Sequence, residues 1–196
     1  MRVMVITAPD FLPNEAAMLG ALLAHGAERI HLRKPGCTEQ ELSKLIEQLP
    51  RQCYPSLSLH DHFALQARYG IGGIHLNGRN PIAPANYKGL ISRSCHSLAE
   101  VERYKAEVNY LFLSPVFDSI SKEGYHAAFT PHMLDEAARR GIIDHKVLAL
   151  GGVSAQKMPQ VCAWGFGGIA LLGAVWNKCH TEADAKVVLS GLLSGQ

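Results

Sequence analysis

One alternation runs the length of this chain and leaves few architectures open: short apolar runs, each followed by a stretch whose apolar residues recur near helical spacing. Residues 3–7 read as a strand and 14–25 as a helix, with Ala17, Leu19, Leu22 and Leu23 carrying the period. Strand 29–33 is followed by helix 38–49, where Thr38 stands at the N-cap position with Gln40 and Glu41 early in the first turn. The unit recurs at 56–60 and 63–69, 91–94 and 97–107, 110–113 and 131–141, 146–150 and 159–165, and 168–172 and 182–193. Strand 73–76 is the exception, followed by a Pro/Gly-rich stretch from 77 to 89 with little helical pattern.

Strands that alternate with helices predict a parallel sheet covered by helices. About eight such units close a (β/α)₈ TIM barrel, and 196 residues lies near the lower end of that fold's size range. An open doubly wound sheet is the competing fold, but Thr7-Ala8-Pro9-Asp10 stands where its glycine-rich turn would be. The expectation is an α/β chain forming one barrel domain over 1–196. A net charge of +2 supplies no field for nucleic acid or an anionic membrane, so the expected partners are small molecules. No apolar run approaches the roughly 20 residues of a membrane span, and the N-terminus is too short for a signal segment. Five cysteines without C-x-x-C spacing argue against a disulfide framework and for a reduced, cytoplasmic protein. A homodimer is the assembly kept open, since these patterns do not encode oligomeric state.

A barrel places active residues just after its strands, at the C-terminal mouth. Reading only those positions gives Thr7, His31, Arg33, His60, Asp61, His62, His75, Asn77, Asn80, Ser94, His96, the loop 114–122, Gly151-Gly152 and Leu172-Gly173. His31 and Arg33 share one strand face by the period-two rule; facing inward, an unpaired Arg33 would be costly and a bound anion would pair it. A structural ion pair is the alternative for Arg33. Ser119, Ser121 and Lys122 offer two hydroxyls and a point cation, with phosphate as the first choice of ligand and a solvated polar loop as the plainer reading.

Gly151-Gly152 and Leu172-Gly173 follow strands seven and eight, where barrels commonly hold phosphate on backbone N–H groups. His60-Asp61-His62 invites a zinc reading, which is discounted because adjacent strand residues point to opposite faces. Asp61 is the sole carboxylate among the mouth residues before the phosphate loops, which suits magnesium shared with substrate oxygens. His75 and His96, taken singly, read as satisfied buried imidazoles.

In this order the motifs resemble thiamine-phosphate synthase and its relatives, over nearly the whole chain. The family's Gln-x-Arg-Glu-Lys is matched by His31-Leu32-Arg33-Lys34-Pro35, its Asn-Asp-Asp by His60-Asp61-His62, and its G-x-H-[IL]-G-Q-x-D by 73–80. Ser92-Arg93-Ser94-Cys95-His96 matches G-x-S-x-H, 114–122 matches Gly-Pro-[IV]-[FY]-x-Thr-x-Thr-Lys, and Gly151-Gly152-Val153 matches Gly-Gly-[IV]. The resemblance implies a (β/α)₈ enzyme that joins hydroxymethylpyrimidine diphosphate to thiazole phosphate and releases pyrophosphate, with magnesium on the diphosphate. It implies Arg33, Ser94 and Lys122 as the catalytic set, with Arg33 and Lys122 on the diphosphate and Ser94 on the pyrimidine side. His31 and His60 would line the substrate site, Asp61 and Asn80 the metal, and Ser119, Ser121, Gly151, Leu172 and Gly173 the thiazole phosphate.

The chain departs from that pattern. Asn80 stands for the second magnesium aspartate, Pro35 for the strand-two lysine with Lys34 one place early, His60 for an asparagine, and Gly173 for a serine. Three alternatives stay open: a thiazole tautomerase, although Pro115 occupies the position of its histidine and His31, His60 or His126 would have to supply a base; a phosphosugar epimerase-like barrel; and a non-catalytic phosphate-binding regulatory barrel.

Overall fold

The computed structural model describes residues 1–118 and 127–193. Eight parallel strands close into a barrel in chain order, β1 (Arg2–Ile6), β2 (Arg29–Leu32), β3 (Leu57–Leu59), β4 (Gly73–Leu76), β5 (Leu90–Cys95), β6 (Tyr110–Leu113), β7 (Val147–Leu150) and β8 (Gly168–Leu171). The seam closes by pairing β1 with β8, Arg2 opposite Gly168 through Val5 opposite Leu171. The outer helices are α1 (Glu15–Ala24), α2 (Glu39–Gln48), α3 (Ala64–Tyr69), α4 (Leu98–Tyr104), α5 (Pro131–Arg139), α6 (Met158–Ala163), α7 (Gly173–Trp176) and α8 (Glu182–Leu193). The stretch between β4 and β5 has no helix among the described residues, as its Pro/Gly-rich composition predicts. The sequence did not signal the 3₁₀ turn at Arg51–Ser56 or the four-residue α7.

Period two sorts the strand side chains into two apolar clusters. Val3, Val5, Ile30, Leu32, Leu57, Leu59, Leu111 and Leu113 face outward and pack under the helices. Met4, Ile6, Tyr110, Phe112, Leu148 and Ala170 face the barrel axis. Thr38 caps α2 as its sequence predicts: its hydroxyl accepts from the Glu41 N–H while the Glu41 carboxylate accepts from the Thr38 N–H, satisfying two donors that a helix end otherwise leaves open.

The interior is not apolar throughout. Strands in a doubly covered parallel sheet are expected to be apolar on both faces, yet His31, Ser58, His60, His75 and Ser92 are all buried. Polar interior positions thus gather on β2 to β5, while β7, β8 and β1 present Leu148, Ala170, Met4 and Ile6.

Candidate active site at the barrel mouth

Three imidazoles converge beneath the mouth. His31 Nδ1 lies 3.0 Å from His60 Nε2, and His31 Nε2 lies 2.7 Å from the Tyr110 hydroxyl. His75 stacks on His60 with ring centroids 4.1 Å apart. Its Nδ1 is 2.8 Å from Ser92 Oγ and its Nε2 is 2.7 Å from Ser94 Oγ. The Ser92 hydroxyl donates to the Ile74 carbonyl at 3.3 Å, so it accepts from His75 Nδ1–H and leaves the Nε2 lone pair facing Ser94 and the mouth.

Burial holds all three rings neutral. It pushes His75 from its ordinary 6.5 to about 3, with Arg93 and Arg33 adding like-charge repulsion. Burial likewise takes His31 and His60 well below the usual imidazole range, with His75 the next cause for each. Arg33 acts on both His60 and His75, which places its charge at the same mouth. Its backbone is fixed to the end of β1, since Thr7 Oγ1 accepts from Arg33 N–H at 2.8 Å and donates to its carbonyl at 3.0 Å.

Asp61 sits on the rim beside this well. Arg79 holds its carboxylate with a two-pronged contact at 3.1 and 2.9 Å, and the Asn80 amide donates to Oδ1 at 2.8 Å. Asn77 and Asn80 both donate to the His60 carbonyl, at 2.9 and 3.0 Å, so the helix-free stretch after β4 ties the rim to the imidazoles. His62 turns away: its backbone is left-handed at φ 54°, and Nε2 contacts the Cys37 carbonyl at 2.8 Å.

Several expected residues fall elsewhere. His96 is exposed rather than buried: it stands just past the last residue of β5, with Nδ1 3.1 Å from the Ser114 carbonyl just past the end of β6. Lys34 does not enter the mouth; it is buried on the outer side, where Nζ reaches Glu15 Oε1 at 2.6 Å and Oε2 at 2.8 Å, and the Ala8 and Asp10 carbonyls. Ser119, Ser121, Lys122 and His126 lie outside the described residues.

Gly151 and Gly152 adopt φ of 95° and 63°, and a Cβ at Gly152 would stand 2.3 Å from the Asp118 carbonyl oxygen. Their conformation is therefore set by the close approach of the loop after β6 as well as by any ligand. That approach is bonded: Val116 N–H donates to Leu150 O, Phe117 N–H to Gly151 O, and Ala128 N–H to Pro115 O. Ala127 N–H donates to Asp118 Oδ1 at 2.7 Å. Leu172 caps α7, with Gly173 as its first residue.

Arg33, Asp61, Ser94, Gly151 and Gly173 thus lie at one end of the barrel, the C-terminal ends of β2, β3, β5, β7 and β8. Sequence reading missed the joint role of His75, Ser92 and Tyr110. The available signal was parity: each shares its strand face with a residue already singled out or points to the axis opposite one. Two surface grooves lie instead on the barrel's flank, one between α1 and α2 and one over α3 beside Tyr87, and their linings share no residue with the mouth.

Residues 3–175 match the family model described as thiamine monophosphate synthase. The thiamine-phosphate synthase of Photorhabdus laumondii is 27% identical over 194 residues, spanning 93% of this chain and 88% of the relative. That of Herpetosiphon aurantiacus is 29% identical over 184 residues, spanning 89% and 87%. Among solved structures, a thiamine phosphate pyrophosphorylase from Bacteroides thetaiotaomicron has a TM-score of 0.89 at 34% identity and covers 100% of this chain and 97% of its own.

Proposed function

Because the chain belongs to the thiamine monophosphate synthase family, we propose that it joins hydroxymethylpyrimidine diphosphate to thiazole phosphate, forming thiamine phosphate and pyrophosphate. The observation that carries this reading is the gathering of Arg33, Asp61, Ser94 and Gly151 at one barrel mouth, in the strand order of the family's motifs.

The carbon–oxygen bond of the diphosphate ester breaks with its electron pair leaving on pyrophosphate, and the thiazole nitrogen supplies the pair that forms the new bond. Such a reaction asks for charge stabilisation and alignment more than proton transfer. Arg33 supplies positive charge to the departing pyrophosphate, with Lys122 in the same role. Ser94, held on His75, orients the pyrimidine side, and His31 and His60 form the floor. Ser119, Ser121 and the backbone of Gly151, Leu172 and Gly173 take the thiazole phosphate, since barrels bind phosphate at the loops after strands seven and eight and a short extra helix.

Magnesium enters this reading through Asp61 and Asn80. Their side chains meet on the rim, where the Asn80 amide N–H donates to Asp61 Oδ1 at 2.8 Å, so Asp61 offers a carboxylate to a hard cation together with substrate oxygens. Asn80 adds its amide oxygen only by turning over and giving up that bond and the one to the His60 carbonyl. Asn80 carries no charge, and Arg79 must release Asp61; Arg79 is half exposed, so that exchange is inexpensive. Bound there, magnesium would neutralise diphosphate oxygens. Cys37, Cys53, Cys95, Cys162 and Cys179 are all unbridged thiols, which supports a cytoplasmic setting.

The test is turnover with both precursors and saturating magnesium. Wild type should form thiamine phosphate at a rate that Asp61→Ala abolishes and Lys122→Ala lowers, while Asn80→Asp should reduce the magnesium needed by restoring a second anionic oxygen. No product from either wild type or Asn80→Asp would end the synthase reading. Precursor binding that survived without chemistry would point to a ligand-binding barrel.

A further inference from the structure

Where the family's motifs carry glutamine and asparagine, this chain places His31 and His60, and the fold sets both against His75. All three are buried, and each offers a ring nitrogen within 4.8 Å of the others. We propose that His31, His60 and His75 form a binding site for one divalent first-row transition-metal ion of the zinc type, separate from the oxygen donors on the rim. The site stands on these residues alone and does not depend on the chain making thiamine phosphate.

Ligand chemistry favours this class of ion. Three neutral imidazoles carry no hard anionic oxygen, so they suit zinc and its neighbours and not magnesium. A shared ion about 2.0–2.1 Å from each nitrogen sets ligand atoms roughly 3–3.5 Å apart. His31 Nδ1 and His60 Nε2 already stand at 3.0 Å. His75 closes the set by a turn of its ring away from Ser94, which now holds its Nε2 at 2.7 Å.

For His31 and His75 the outer hydrogen bonds have the orientation that metal-bound histidines use, with the far nitrogen anchored on a hydroxyl and the near one left as a lone pair. His60 Nε2–H, which donates to His31 Nδ1 at 3.0 Å, moves its proton to Nδ1 as the ion enters. His31 keeps Nε2 on the Tyr110 hydroxyl, which the Ser92 and Ser58 hydroxyls also reach. His75 keeps Nδ1 on Ser92 Oγ, itself tied to the Ile74 carbonyl. Met4, Ile6, Phe112 and Leu148 wall the far side of the interior, so coordination by three protein ligands leaves the remaining position facing the mouth at Ser94. An anion entering there would complete the coordination, as a catalytic three-histidine site does.

The experiment is titration of the full chain, stripped with a chelator, with zinc alone against a chromophoric competitor, and with cobalt followed by visible absorption. Wild type should bind one equivalent that millimolar magnesium does not displace, and the cobalt spectrum should show nitrogen and oxygen donors without a thiolate band. His31→Gln and His60→Asn, which restore the family's residue types, should each weaken binding at least 100-fold while the thermal midpoint shows a folded protein. Ser92→Ala should weaken it about 10-fold through loss of the anchor on His75. Binding left unchanged by His60→Asn, or a cobalt thiolate band, would assign the metal to other residues and overturn the proposal; so would the absence of tight binding. No substrate is present in these titrations, so their failure and a failure of turnover are read separately.

Discussion

Two buried polar constructions flank the end of β2, three residues apart in sequence and on opposite sides of the sheet, and they differ in whether anything is left to bind. On the outside, Lys34 Nζ is surrounded by four acceptors from its own chain, two carboxylate oxygens of Glu15 and the carbonyls of Ala8 and Asp10. An ammonium has three protons to donate, so this network is closed. On the inside, the imidazoles of His31, His60 and His75 are neutral, braced sideways by hydroxyls, and meet the mouth through Ser94. The difference teaches that burial of a polar group does not mark function; unspent ligand capacity facing a mouth does.

The largest effect that would break the comparison lies on the closed side. Burial pushes Glu15 up and Lys34 down, in each case against the pull of its partner, so the intact pair is worth little over an apolar replacement while half of it is costly. Lys34→Met should therefore lose about 3–5 kcal/mol in urea unfolding, and adding Glu15→Leu should return most of it. A single variant as stable as wild type would show that Lys34 does not satisfy Glu15.

The open side should answer to acid. The folded state holds His75 at about 3 against an ordinary 6.5, so the unfolded chain takes up the proton first as pH falls. Stability from this group is complete above pH 6.5 and drains away toward pH 3. Between pH 6.5 and 5 the metal-free protein should lose about 2 kcal/mol through His75 alone, with His31 and His60 adding in the same direction. Urea midpoints that stay constant across that interval would show the rings to be already protonated or solvated.

A smaller change calibrates both. Thr38→Ala removes the α2 cap and touches neither network, so it should cost about 1 kcal/mol and leave turnover and metal titration as in wild type. Loss of turnover with that variant would mean that global stability, not the mouth, controls the readouts.

The architecture was legible because its signals are local. Eight apolar runs, the Thr38 cap and the absence of a helix after Gly73–Leu76 all follow from short stretches of sequence. Strand ends located Arg33, Asp61 and Ser94 for the same reason. What sequence could not display is the meeting of strands. Reading His60 with its chain neighbour His62 made a metal centre look unfavourable, and the local geometry agreed, since His62 turns to Cys37. The partners of His60 stand 29 and 15 positions away, on β2 and β4, where only barrel closure brings them. Lys34 shows the converse: one place along a strand reverses the face, so a lysine displaced by one residue from the family's position becomes an outer strut.

The stitching of the loop after β6 to the end of β7 bears on how this enzyme can be altered. Val116 and Phe117 are bonded to Leu150 and Gly151, while Ala127 and Ala128 return to Asp118 and Pro115. The two ends of the intervening segment are thus clasped together at its base, so its length and composition can vary with little consequence for the barrel beneath. Doubling a loop closed in this way costs only about 0.6 kcal/mol in chain entropy. Chain length added between Asp118 and Ala127, with Ser119, Ser121 and Lys122 retained, would therefore explore substrate selectivity on a scaffold that stays intact.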